Sequence, residues 1–174
     1  MVADKTGATD QSASALCTAC GMCCNGSLFR KVPFREDERG FVESLELEIH
    51  EGKRPGFLLP CPKLDDATCT IYPDRPSRCD EFACKLLKRF KAEEIGWDDA
   101  TDIVRQAREL RERIAAVDPA ATTVVHRLRD DHMALPDGIA EDVREAARTR
   151  LDRLAFDLLL NREFRPAKDD KLVK

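Results

Sequence analysis

Eight cysteines stand from Cys17 to Cys84 of this 174-residue chain, and the 90 positions after Cys84 hold none. That crowding constrains the fold more than any other feature. A chain this rich in thiols over so short a span either closes disulfides or gathers thiolates around metal. The compartment decides between the two. The N-terminus, Met-Val-Ala-Asp-Lys-Thr-Gly-Ala-Thr-Asp, is polar and lacks the apolar core of a secretory signal. The expected location is therefore cytoplasmic, where thiols stay reduced and serve as ligands.

The cysteines fall into two groups. The first, Cys17, Cys20, Cys23 and Cys24, reads CTACGMCC, and the second is Cys61, Cys69, Cys79 and Cys84. Thiolates are soft anionic donors that suit zinc or iron. Two-residue gaps let one tight turn aim neighbouring sulfurs at a common centre, whereas the wider gaps of the second group need the fold to bring them together. Three cysteines in succession at two-residue gaps resemble the run that holds a [4Fe–4S] cluster more than the paired spacing of structural zinc. Zinc and iron, the latter as an iron–sulfur cluster, both stay open. Since adjacent cysteines point different ways, one partition is Cys17, Cys20, Cys23 and Cys61 on one centre, with Cys24, Cys69, Cys79 and Cys84 on a second.

Charge excludes some alternatives. Before Trp97 there are 14 Lys and Arg against 16 Asp and Glu, and from Trp97 onward 15 against 17. Neither part has the basic excess of a nucleic-acid binder. No apolar run approaches the ~20 residues of a membrane span. No phosphate loop, Ser-His-Asp set, HExxH motif or methyl-donor motif is present, so no catalytic residue is assigned. His50, His126 and His132 read as ordinary surface or core residues. Arg75 and Arg78 are placed nearest the last cysteines, ahead of Lys85, Lys88 and Arg89. Tyr72 reads as a residue supporting the site through its hydroxyl.

The expected fold is α+β, mostly α: a cysteine-rich domain with a short hairpin, then a helical extension. Residues 1–16 read as a loose tail, 17–96 as the metal-binding domain and 97–174 as the extension. Cys17 to Asn25 reads as a compact turn ending in Asn25-Gly26. A helix is expected over 35–51, with Val42, Leu45 and Ile49 inward. Gly56 to Leu59 reads as extended, and a hairpin is expected around Asp65-Asp66. Pro76 should open a helix carrying Phe82, Leu86, Leu87 and Phe90. Asp98 should cap a long helix with Ile103, Ala107, Leu110, Ile114 and Val117 inward. A second long helix from near Gly138 should bury Ile139, Val143, Ala146 or Ala147, Leu151, Leu154 and Leu158. A shorter helix is expected around Val124, Val125 and Leu128.

At the cysteines the sequence resembles the CxxCxxCC family of zinc- or iron-chelating domains. CTACGMCC matches the motif in the family's name. The stretch CPKLDDATCTIYPDRPSRCDEFAC matches the rest of the family's pattern, including Ile71-Tyr72 and Arg75-Pro76. The resemblance spans Cys17 to Cys84 and implies that all eight cysteines are metal-ligand candidates. Some flagellin lysine methylases contain a similar domain. The resemblance therefore leaves two kinds of function: a metal-binding module, or a metal-dependent enzyme such as a protein-lysine methylase or a redox enzyme. A metal store or carrier is a third. The metal ion is the expected partner, with the C-terminal helices offering a surface to a protein.

Overall fold

A computed structural model of the chain describes residues 11–117 and 143–166, with side chains from 147 in the last helix. Helix α1 (Ala13–Cys20) starts at Ser12, whose hydroxyl accepts from the Ala15 N–H at 3.1 Å. This cap places the helix start four residues inside the stretch read as a loose tail. Cys17 and Cys20 thus sit on a helix, and only Cys23 and Cys24 lie in the turn beyond it. Gly21 ends α1 with φ +66°, a left-handed conformation that glycine adopts without the Cβ penalty. The Asn25-Gly26 turn forms as expected, with Asn25 Oδ1 accepting from the Ser27 N–H at 2.9 Å.

Next along the chain is a three-stranded antiparallel sheet, with β1 (Lys31–Pro33), β2 (Ile49–His50) and β3 (Gly56–Leu58) in the order β1-β3-β2. Between β1 and β2 lie a 3₁₀ turn (Glu36–Glu38) and the short helix α2 (Arg39–Ser44). The helix expected over 35–51 therefore stops early. Glu46 turns to φ +55°, and Ile49 pairs with Phe57 in the sheet. Val42, Leu45 and Ile49 still pack into one cluster with Phe34, Leu47, Phe57 and Leu59. Val42 lies in α2, Leu45 caps its end and Ile49 stands in a strand.

The expected hairpin is present as β4 (Leu64–Asp65) and β5 (Thr68–Cys69), paired Leu64 to Cys69 and Asp65 to Thr68 around Asp66 at φ +50°. The helix expected from Pro76 is broken in two: α3 (Ser77–Glu81) and α4 (Lys85–Lys91). At the break Phe82 turns aside onto Phe29, ring edge to face at 4.9 Å. Cys84 then caps α4, its Sγ accepting from the Leu87 N–H at 3.4 Å.

Helix α5 (Trp97–Val117) begins one residue before Asp98, leaving Asp98 and Asp99 in its first turn near the positive helix end. Ala107 and Ile114 are buried as expected, together with Ala100 and Val104. Helix α6 (Val143–Leu159) packs along α5 and closes in a π-helical turn, Leu160–Phe164. The inward face expected for α6 is the wrong one. Leu151, Leu154 and Leu158 are exposed, while Thr149, Phe156, Leu159 and Leu160 are buried. The helix is apolar on two faces, and its single aromatic, Phe156, takes the interior. Ala147 is exposed too. The expectations for Gly138, Ile139, the Val124–Leu128 helix, His126 and His132 lie outside the described residues, as do the side chains of Val143 and Ala146.

The helical extension does not stand apart from the cysteine region. Leu16, Met22 and Leu28 share one core with Leu86, Leu87, Val104, Ile114, Phe156, Leu160 and Phe164. Arg108 of α5 ties the two parts together. It donates to the Ala19 carbonyl at 3.2 Å and reaches both Asp66 oxygens at 3.0 and 2.8 Å.

Candidate metal centre

All eight cysteines line one cavity of about 320 Å³. Five segments bring them there. Helix α1 supplies Cys17 and Cys20, the turn after it Cys23 and Cys24, and the hairpin with the residues leading into it Cys61 and Cys69. Cys79 comes from α3 and Cys84 from the cap of α4. All eight are free thiols. As whole residues each is half-buried, since each faces an open cavity. Burial nevertheless changes the acidity of seven of them.

Burial is the first cause of every resolved shift, and each is upward. Cys20 and Cys79 are pushed up to about 12. Cys23 and Cys24 are raised well above the ordinary thiol range, and Cys17, Cys61 and Cys84 are raised too. Neighbouring thiols add to burial, and they sort the set except for Cys17, which feels Cys69 while Cys20 and Cys84 feel Cys17. Cys23 feels Cys84 and Cys20 most, and Cys20 feels Cys84 and Cys17. Cys24 feels Cys69, Cys79 and Cys61. Cys79 feels Cys61 and Cys69.

Packing divides the cysteines the same way. Cys20, Cys23 and Cys84 lie against the helical core, and Cys61 and Cys79 against the sheet core. Cys84 therefore lies with Cys20 and Cys23, and Cys61 with Cys79. The Cys61 N–H donates to the Cys24 carbonyl at 2.8 Å and fixes Cys61 beside the other set. Sequence spacing missed this because the broken α3–α4 helix turns Cys84 away from Cys79.

The Leu87 N–H bonds to Cys84 at 3.4 Å, and the Met22 and Lys63 backbones and the Tyr72 side chain partly offset the upward push at Cys20, Cys61 and Cys17. The Arg75 guanidinium lies 3.8 Å from the Tyr72 ring centroid and is held by Asp80 at 2.6 Å. Its charge partly offsets the rise at Cys17 and Cys79. Lys31, Arg54 and Arg78 complete the cationic lining, and no Asp or Glu among the described residues lines the cavity. Lys85 and Arg89 turn away, to the Asn161 carbonyl and Glu163. His50 lies at the sheet edge and takes no part in the lining. Among the described residues, no three Cys, His, Asp or Glu side chains are arranged to hold a single metal ion.

The donor chemistry fits metal. Eight thiols share a cavity whose charged lining, among the described residues, is positive. That would compensate anionic metal–thiolate centres.

Fold and site together define a small α+β domain that gathers a cysteine cluster around one cavity, the arrangement of a metal-chelating module. Residues 16–101 match the CxxCxxCC family, described as a "putative zinc- or iron-chelating domain", and this part of the chain belongs to that family. No curated protein and no solved structure matches the chain. Among the described residues no helix is long and apolar enough to cross a membrane.

Proposed function

We propose that this protein holds metal in the cysteine-lined cavity as iron–sulfur clusters rather than as single zinc ions. One observation carries the reading: eight thiols surround a space of about 320 Å³, and no three are arranged to hold one ion. A mononuclear tetrahedral site draws four sulfurs to about 2.3 Å from a single point and leaves no space between them. A cavity roughly twice the ~150 Å³ that accepts benzene in an engineered core suits a multi-atom cluster. All eight cysteines are the ligand candidates, with Cys17, Cys20, Cys23 and Cys84 on one side and Cys24, Cys61, Cys69 and Cys79 on the other. Lys31, Arg54, Arg75 and Arg78 offset the negative charge that thiolate ligation brings. The free thiols belong with a reducing, cytoplasmic setting.

Anaerobic purification followed by iron, zinc and acid-labile sulfide analysis tests this. The expected product is brown, with iron and sulfide in equal amounts and broad visible absorption. A colourless protein carrying zinc without sulfide would overturn the iron–sulfur reading and keep the chelating one.

A further inference from the structure

Helix α6 carries a second apolar face that the fold leaves uncovered. Leu151, Leu154 and Leu158 are 66%, 57% and 59% exposed. With Ala147 they are spaced four, three and four residues apart, so they form one stripe along the helix. It lies opposite the buried Phe156, so it is no part of the core. Isolated exposed leucines need no explanation, but a contiguous helical stripe of them marks a contact surface.

The charges around the stripe say what would cover it. Every exposed charged side chain among residues 147–166 is basic: Arg148, Arg150 and Arg162. Helical spacing puts Arg148 and Arg150 on opposite flanks of the stripe. The acids of the same stretch are withdrawn and paired. Asp152 takes Arg113 of α5 at 2.9 Å, Asp157 takes Arg165 at 2.6 Å, and Glu163 takes Arg89 at 2.5 Å and Arg162 at 2.6 Å, which leaves Arg148 and Arg150 as the charges beside the stripe. The stripe is thus apolar along its centre and positive at its rim. A second copy packed face to face would set these arginines against their own kind.

We infer that this face of α6 docks an acidic amphipathic helix of a partner protein, its leucine-type residues on Leu151, Leu154 and Leu158 and its carboxylates toward Arg148 and Arg150. The mode is a helix laid along an apolar seam with charge setting the choice of partner. It is independent of the metal, because none of these residues lines the cysteine cavity.

The test uses the full chain with two labelled synthetic helical peptides. Both carry leucine at the same spacing, one with glutamates and the other with lysines on the remaining surface. Fluorescence anisotropy should show the acidic peptide binding at least tenfold more tightly than the basic one. Leu154→Glu should abolish that binding, Arg148→Glu should weaken it severalfold, and both variants should keep the parent helical circular dichroism and metal content. Equal binding of the two peptides, or of parent and Leu154→Glu, would overturn the proposal. So would a dimer in sedimentation that Leu154→Glu dissolves, which would make the occupant a second copy. Binding to phosphatidylserine vesicles without binding to the acidic peptide would make it a membrane surface. Cross-links from the stripe to residues 118–142 of the same chain that the acidic peptide does not displace would make it an internal contact.

Discussion

The backbone N–H of Cys61 donates to the carbonyl of Cys24 at 2.8 Å. This one bond joins the two cysteine groups that the sequence separates by 36 positions. It sets Cys61 beside Cys24, while Cys84 lies with Cys20 and Cys23 against the helical core.

The grouping makes a direct prediction about single-site variants. Cys84→Ser should behave as Cys20→Ser does and lower metal content by about half. Cys61→Ser should instead behave as Cys79→Ser does. Spectra of the metal remaining in each variant should fall into two classes, {Cys20, Cys84} and {Cys61, Cys79}. Spectra pairing Cys61 with Cys20 would restore the grouping expected from spacing alone.

Acidity gives the second prediction. Seven of the eight thiols have a resolved upward shift, with burial as its largest cause. In the metal-free fold these groups hold protons that the unfolded chain would lose near pH 8.5–9. The folded state then binds more protons than the unfolded state, so stability falls as pH rises. The contribution is complete below about pH 8, and it declines from there as pH rises toward about 12, the raised position of Cys20 and Cys79. Chemical unfolding of metal-free protein at pH 7, 8, 9 and 10 should give a steadily falling midpoint. Metal uptake should release protons, because the ligands must ionise. Calorimetry in buffers of different ionisation enthalpy reads that release.

Much of the site is legible in the chain because thiols are rare and their chemistry is narrow. The number of candidates, the Asn25-Gly26 turn and the Asp65-Asp66 hairpin can all be read from local residue preferences. What spacing cannot supply is the direction of the chain between elements. The α3–α4 break at Phe82 depends on where Phe29 waits, far earlier in the chain on a different segment. The inward face of α6 could not be read from periodicity, since both of its faces are apolar and only the interior's demand for Phe156 chooses between them. Glu46 holds a left-handed φ that no residue preference predicts, and this turns the expected long helix into a helix and a strand.

Tyr72 and Arg75 should tune the metal rather than hold it. Tyr72 offsets part of the upward push on the Cys17 thiol, and Arg75 stacks on the Tyr72 ring while Asp80 holds its guanidinium. Groups that orient or polarise a ligand typically change metal affinity by about 10–100-fold when removed. Tyr72→Phe should keep the fold and the metal stoichiometry of freshly purified protein but speed metal loss to a chelator by about tenfold. For an iron–sulfur centre, its reduction potential should move to a more negative value, since a hydrogen bond to sulfur stabilises the reduced state. Arg75→Gln should act in the same direction with a larger shift, because it removes a full charge. A Tyr72→Phe protein with unchanged potential and chelation rate would assign the tyrosine to packing alone.

Gly21 supplies the last prediction, one that separates the scaffold from its ligands. It ends α1 between Cys20 and Met22, at φ +66°. A Cβ there would lie 3.0 Å from the Ala67 Cα and 3.2 Å from the Ala67 carbonyl oxygen. Both obstacles are backbone of the β4–β5 turn, which Arg108 holds through Asp66, so neither can swing aside. Gly21→Ala thus incurs the left-handed cost of about 1–2 kcal/mol and in addition pushes the hairpin off the end of α1. Thermal unfolding should drop by about 3–6 °C at this chain length. Cys17 and Cys20 stay on the helix, while Cys61 and Cys69 move with the hairpin. Metal on the Cys24, Cys61, Cys69 and Cys79 side should therefore be lost before metal on the other. A variant with parent melting temperature and full metal content would show that the turn yields, and that the close approach of α1 to the hairpin does not set the cavity.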